Sequence, residues 1–375
     1  MINKQRLEQV FLDMLHINSP SKHERELADY VSAKLLSLGF EVEEDDAGAK
    51  IGGSAGNIIA FKPATVQGAR GLFFCCHMDT VEPTDKLKIV ADGGVIRSDG
   101  STILGADDKS GIAAIIEGLT SVVERGVPHG DIQILFDVAE EIGLLGAKSM
   151  DHGKIKADLG YVLDTGKPAG GITVSAPSHE NMSVEITGKA AHAGIEPEKG
   201  VSAIVAAGSA IAKMKLGRID DETTANVGRI EGGKAHNIIP DRVTVKAEAR
   251  SRSEEKLASQ VQHMTRLFEE EAAKIGASAA VEVEREYASY RWTPEDEVVK
   301  LATAAARRVG INPEFQEGGG GSDANIFNSM GMPAVLIGLG YEGPHSSSEH
   351  IAVRDLALAA QLVAAIIGVA AEPEE

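Results

Sequence analysis

Four short apolar runs in this chain each stop at an acidic or imidazole side chain, and that repeated ending limits what the chain can fold into. The first, GLFFCCHMDT from Gly71 to Thr80, reads as a buried strand that breaks off in His77, Met78 and Asp79. Residues i and i+2 of a strand share a face, so His77 and Asp79 emerge together. A histidine held by a carboxylate is suited to bind a metal, because the carboxylate fixes the tautomer and strengthens the free nitrogen as a donor. Taken alone, the triplet is equally a polar strand end reaching solvent. ILGADDKSG sets Asp107 and Asp108 after a second apolar piece, just before the helical pattern SGIAAIIEGLTSVV, where carboxylates meet free backbone N–H groups. DIQILFDVAEE runs into Glu140 and Glu141, and LGYVLD ends in Asp164. Singly, the glutamates are also a solvated loop and the aspartates a helix cap. Together they fit an open α/β sheet, whose working groups collect beyond the carboxyl ends of its strands, and the assembled set favours a metal site.

Helical and strand patterns alternate up to Asp164, as in a layered α/β domain. MINKQRLEQVFLDMLHI carries Leu7, Val10, Phe11, Met14 and Leu15 at amphipathic spacing, so it reads as a first helix and not as a secretory signal. The texture changes near Gly170. MSVEITGKAAHAG, VSAIVAAGSAIAKMKLG, TTANVGRIEGG, RVTVKAEARS, EEKLASQVQHMTRLFEEEAAKIG and AAVEVEREY spell strand, helix, strand, strand, helix, strand. Their strands alternate apolar and polar residues, as antiparallel strands with one wet face do. Six elements in that order make a small α+β, ferredoxin-like domain. After Trp292 the α/β texture returns. The expected class is therefore α/β: a discontinuous domain with a central mixed sheet, residues 1–176 and 289–375, interrupted by a smaller domain over residues 177–288.

A formal charge of −19 argues against nucleic acid or an anionic membrane as partner. The only two cysteines, Cys75 and Cys76, are strand neighbours that point to opposite faces, so they read as small buried residues in a reducing compartment. The longest apolar stretch, from Leu356, contains Gln361 and is shorter than a bilayer needs, which makes it a buried C-terminal helix and the protein cytoplasmic. Gly338, Gly340 and Gly343 spell a dinucleotide-type glycine pattern, but Pro344 and a serine run follow where a helix is required, so that reading fails its context. The run Gly318 to Gly321 precedes a helix start that Ser322 or Asp323 would cap, and glycine there lets backbone N–H groups approach a ligand.

HMDTVEP, ILGADDKSGIA, the EEIGLLGA run, GYVLD, AAHAG, NIIPD, GGGGSDANIF and GPHSSSEH stand in the order of the M20-type dinuclear zinc peptidase and amidohydrolase family, which includes peptidase T, glutamate carboxypeptidase and aminoacylase. Nearly the whole chain resembles that family, and ILGADDKSGIA and GGGGSDANIF resemble its peptidase T branch. The resemblance implies two Zn2+ ions, one held by His77, Asp107 and Asp164 and the other by Asp107, Glu141 and His345, with Asp107 bridging. Co2+ or Mn2+ would also suit such donors. His345 is preferred over His350 because a short polar loop and Glu349 follow it. Asp79 would clamp His77, and Glu140 would be the general base. Neighbouring glutamates cannot easily reach the same atom, which suits one ligating while the other takes a proton. The resemblance further implies that the inserted domain is a lid and dimer surface. His192 would donate a hydrogen bond to the substrate carbonyl, Asn237 and Arg250 would bind substrate, and Arg250 would grip its terminal carboxylate. Gly319, Gly320, Ser322 and Asp323 would line the substrate pocket. The expected activity is hydrolysis of short peptides by a homodimer, as a tripeptide aminopeptidase. Asp164, where the family's deacylases and carboxypeptidases tend to carry glutamate, favours that branch. A carboxypeptidase, an N-acyl or N-carbamoyl amidohydrolase, and a silent metal-dependent binding protein remain as alternatives.

Overall fold

The structure is a computed structural model and describes residues 2–372. The chain divides into two compact units: one runs through Ser175 and resumes with Arg291–Gly318 and the residues from Ser322 on, and the other comprises Ala176–Tyr290 with Gly319–Gly321.

The first unit is built on a mixed sheet. Its centre is four parallel strands, Ile132–Asp137, Leu72–His77, Leu159–Val162 and Ala334–Ile337, adjacent in that order. Every residue in them is buried, which is why they read as unbroken apolar runs rather than alternating ones. The sheet turns antiparallel at its margins, with Glu41–Glu44 and Ile58–Lys62 on one side and Ile172–Ala176 beside Ala334–Ile337 on the other. Because the four central strands run the same way, their carboxyl ends open on one edge.

The helices Lys4–Leu15, Ala106–Arg125, Glu297–Arg308 and Val353–Ala370 pack on one another. Leu7, Val10, Phe11, Met14 and Leu15 are all buried, as their spacing predicts. Each such side chain stabilises the fold by about 1.5–3 kcal/mol on burial. The C-terminal helix begins at Val353, earlier than the apolar run suggests, and its 18 residues have the length and composition to cross a membrane. Its packing decides otherwise: Leu356, Leu362, Val363, Ile366 and Ile367 belong to the core shared with Ile112, Ile115, Leu119 and Val122. Both cysteines are buried and free.

The second unit has the six elements in the predicted order. Strands Thr223–Gly232, Arg242–Ser251, Ser178–Thr187 and Ser278–Tyr287 form an antiparallel sheet in that spatial order, with Gly217–Arg218 on the outer edge of the first. Helices Ala203–Lys213 and Glu254–Lys274 cover one face, burying Val184, Ile186, Val243, Val245, Phe268 and Ala272. Ser202 and Ser253 cap them by accepting from Val205 N and Lys256 N.

Candidate metal centre

At the carboxyl edge of the first sheet, His77 ends its strand, Asp164 follows Val162 by two residues, and Glu140 and Glu141 follow Asp137. Asp107 arrives differently. The ILGA segment is not a strand; it is an irregular loop leading into the helix Ala106–Arg125, whose first turn is broken at Asp107 and Asp108. The reason is Glu349, buried to 1 % exposure, whose carboxylate accepts from Leu104 N, Gly105 N and Asp107 N at 2.9, 2.7 and 2.9 Å. Backbone groups committed to a carboxylate cannot pair with a strand. Gly111 then lets the helix press on the sheet: a Cβ there would lie 2.4 Å from Leu163 O.

These placements gather two groups of donor atoms, each within 4.8 Å: His77, Asp107 and Asp164, and Asp107, Glu141 and His345. His77 Nε2 is 3.2 Å from Asp107 Oδ1 and 3.8 Å from Asp164 Oδ1. His345 Nε2 is 3.0 Å from Glu141 Oε1 and 3.5 Å from Asp107 Oδ2. His77 Nδ1 lies 2.8 Å from the main-chain oxygen of Asp79. A carbonyl can only accept, so Nδ1 carries a proton, and Nε2 is the nitrogen turned toward the carboxylates.

The Asp79 carboxylate is farther from His77, with Oδ1 at 3.5 Å from Nδ1. Its closer contacts are elsewhere: Oδ1 accepts from Glu140 N at 2.9 Å, and Oδ2 from Glu141 N at 3.2 Å and Ser21 Oγ at 2.6 Å. Glu24, also buried, accepts from Ala139 N at 3.1 Å. Three successive N–H groups are thus held by two buried carboxylates, and Ala139 takes a left-handed φ of 55° to present them. His345, at φ 60°, is another of the five non-glycine residues with a left-handed φ among the described residues. Left-handed backbone at such residues costs about 1–3 kcal/mol and collects where a site demands it.

Burial pushes the Asp164 carboxyl well above its ordinary range, with Asp107 and Glu140 adding like charge. Burial also raises Glu140; His77 opposes the shift, while Asp323, Glu141 and Asp79 reinforce it. His345 is pushed up to about 10 by its hydrogen bonds to Asp107 and Glu141. Three carboxylates and two imidazoles around a shared aspartate are short of positive charge, and the donor set fits divalent zinc, cobalt or manganese.

His192, Asn237 and Arg250 lie in the second unit. His192 is exposed, five residues beyond its strand, in a bridge with Ile238, and Ala193 N donates to Asn237 O at 2.9 Å. The two loops are therefore tied together. Gly319 and Gly320 group with the second unit and Ser322 with the first, where it is the N-cap of Asp323–Ser329 and its N–H donates to Asn325 Oδ1. Asp323 is buried near Asp137 and Cys75. Glu24 and Ser21 are absent from the residues singled out in the sequence, and Glu349 enters there only as a landmark for His345. Glu349 alone had a signal, its place just after the His345 loop.

The chain matches the family model described as Peptidase family M20/M25/M40 over residues 73–368. It is 45% identical to the protein YqjE of Bacillus subtilis (strain 168), over 99% of this chain and 100% of that one. The crystal structure of aminopeptidase PepT from Bacillus cereus ATCC 10987 superposes with a TM-score of 0.93 at 46% identity, covering 99% of this chain and 100% of that chain. That of a tripeptidase from Staphylococcus aureus subsp. aureus mu50 superposes with a TM-score of 0.95 at 41% identity, covering 99% of each.

Proposed function

The chain belongs to peptidase family M20/M25/M40 and is a metal-dependent peptidase, and from that premise we propose that it removes the N-terminal residue from short peptides, tripeptides foremost. The observation that carries the assignment of residues is the sharing of Asp107 between two donor groups, one completed by His77 and Asp164 and the other by Glu141 and His345. We assign these five side chains to two divalent cations, zinc by preference. When bound, such a pair acidifies water, polarises the scissile carbonyl and balances the charge of the oxyanion.

Glu140 is the general base. Its backbone is fixed by Asp79, and burial keeps its carboxyl ready to hold a proton. It takes a proton from the attacking water and delivers it to the leaving amine nitrogen as the C–N bond breaks. His192 donates to the substrate oxygen that gains charge, an interaction typically worth about 2.7–4 kcal/mol in the transition state. Arg250 holds the free carboxylate of the peptide, with Asn237, Gly319, Gly320 and Ser322 bordering the substrate.

A homodimer through the second unit is supported by its outer strand Thr223–Gly232, which among the described residues pairs on its outer edge with only Gly217 and Arg218. Exposed Ile230, Ile204 and Val205 lie on that strand and the helix Ala203–Lys213. A cytoplasmic setting is supported by the two free, buried cysteines.

The test is tripeptide hydrolysis by wild type and Glu140→Gln, with metal content measured on both. The variant should retain two metals per chain and lose about 10²–10⁴ in kcat. Full turnover by the metal-loaded variant would remove Glu140 from the mechanism, and release of a C-terminal residue first would replace the aminopeptidase with a carboxypeptidase.

A further inference from the structure

The second unit carries a polar cluster distinct from the metal donors, and its placement follows from strand register. Across Arg242–Ser251, Ser178–Thr187 and Ser278–Tyr287, Arg250 stands opposite His179 and His179 opposite Tyr287, so the three lie in one row. Val243, Val245, Ala247 and Ala249 are buried, and alternation sends Glu248 and Arg250 together to the other face.

There the Glu248 carboxylate lies between an imidazole and a guanidinium. Its Oε2 lies 3.0 Å from His179 Nε2 and accepts from Arg250 Nη2 at 2.8 Å. Arg250 Nη1 donates to the Tyr287 hydroxyl at 3.2 Å. His179 and Tyr287 are 6 % and 7 % exposed, their rings 5.3 Å apart, so neither support has much room to move. Gly321 presses on Tyr287 from the loop: a Cβ there would sit 2.2 Å from the ring, and a Cβ on Gly320 would lie 3.9 Å from Arg250 Nη1.

The guanidinium keeps one nitrogen without a hydrogen-bond partner. Arg250 Nε is buried, and among the described residues nothing accepts from it. Leaving a charged group's N–H buried and unpaired costs more than the loss of an ordinary hydrogen bond, so the fold keeps a directional donor in reserve for an acceptor that arrives from outside. A guanidinium has five donors in a rigid fork, and the contacts to Glu248 and Tyr287 leave most of them for such a guest.

We propose that Glu248, seated by His179, is a positioning residue that holds the Arg250 fork at the angle from which it takes a peptide's free C-terminal carboxylate. The inference rests on the reading of Arg250 as the carboxylate grip. It adds that the aim of the fork is set from behind, by a neighbouring acid that itself never touches the substrate. Glu248 is held well below the usual carboxylate range, to about 2, by His179 and Arg250, so it remains an ionised acceptor across the working pH of a peptidase.

Steady-state kinetics of the full-length, metal-loaded enzyme on a tripeptide and on its C-terminal amide test this. Glu248→Ala should raise KM for the free acid by about tenfold, the size of one charge-assisted hydrogen bond, with kcat within about twofold and KM for the amide unmoved. Glu248→Gln keeps an acceptor oxygen and should restore the acid KM to within about threefold of wild type. An unchanged acid-to-amide ratio in Glu248→Ala, or a Gln variant as weak as the Ala variant, would overturn the inference. Arg250→Ala, run alongside, separates the two ideas: it should abolish the acid-to-amide preference, and its failure to do so sinks the carboxylate grip itself. Should Glu248→Ala not fold, His179→Gln removes the rear support and should raise the acid KM by about threefold; no change there overturns the inference as well.

Discussion

The metal-donor cluster, at the carboxyl edge of one sheet, and the Arg250 cluster, on the face of another, are both polar, yet they are unbalanced in opposite senses. Around Asp107 the carboxylates outnumber the imidazoles, and burial pushes Asp164 and Glu140 toward their protonated forms. Around Arg250 the acid in contact with it, Glu248, is held low by His179 and the guanidinium, and what is left over is an N–H. An excess of acceptors awaits a cation, and an orphaned donor awaits an anion. The imbalance in each place marks the sign of the guest it is shaped to take.

The largest effect that would sharpen the contrast lies in Glu349→Gln. The variant keeps one acceptor oxygen but loses the charge that gathers the N–H groups of Leu104, Gly105 and Asp107. Metal affinity should fall by about 10–100-fold, read by competition with a chelator, while the acid-to-amide preference of the remaining activity stays as it was. Undiminished affinity would show that the Asp107 loop holds its shape unaided.

A smaller effect follows from pH. The folded Asp164 carboxyl sits above its unfolded value of about 3.9, so its contribution to stability is full below that value and is lost as pH rises through the folded one. Glu248 is the reverse: its contribution is present above the unfolded value of about 4.3 and is lost as pH falls through about 2. Trp292, the only tryptophan, belongs to the first unit. In urea melts followed by its fluorescence, stripping the metal should lower the midpoint more at pH 7.5 than at pH 5.5. Equal losses would mean that the carboxylates around Asp107 are not what the cations relieve.

The smallest expected effect is at Tyr287→Phe, which removes one hydroxyl from behind Arg250. The guanidinium is a charged donor but the contact is long at 3.2 Å, so its loss should cost about 0.5–1.5 kcal/mol and KM for the free acid should rise about two- to tenfold, with the amide unaffected. A larger rise than that for Glu248→Ala would make the tyrosine, not the acid, the residue that aims the fork.

Much of this architecture is written in local pattern. The apolar runs before His77, Glu140 and Asp164 are strands, and the six alternating segments from Ser178 to Tyr287 form one antiparallel sheet with two helices. What pattern could not carry is control from a distance. ILGA looks like a strand until Glu349, 242 residues beyond Asp107, claims its N–H groups. Asp79 looks like a partner for His77 alone until it is seen holding the backbone of Glu140 and Glu141. Glu248 and Arg250 share a face by spacing, but His179 and Tyr287 join them only through register, which a single sequence does not display.

Strand Ala334–Ile337 lies between Leu159–Val162 and Ile172–Ala176, with His345 a few residues further on. Chains leave the ribosome N-terminus first, so His77, Asp107, Glu141 and Asp164 exist long before the fifth donor has been translated. Throughout the synthesis of the whole inserted unit the nascent sheet has a slot with open edges on both sides, the kind of edge that pairs with the wrong strand. On the proposed assignment the second cation lacks a donor until His345 has been made, and a chain cut short before the last strand would lack both that donor and Ala334–Ile337 in its sheet.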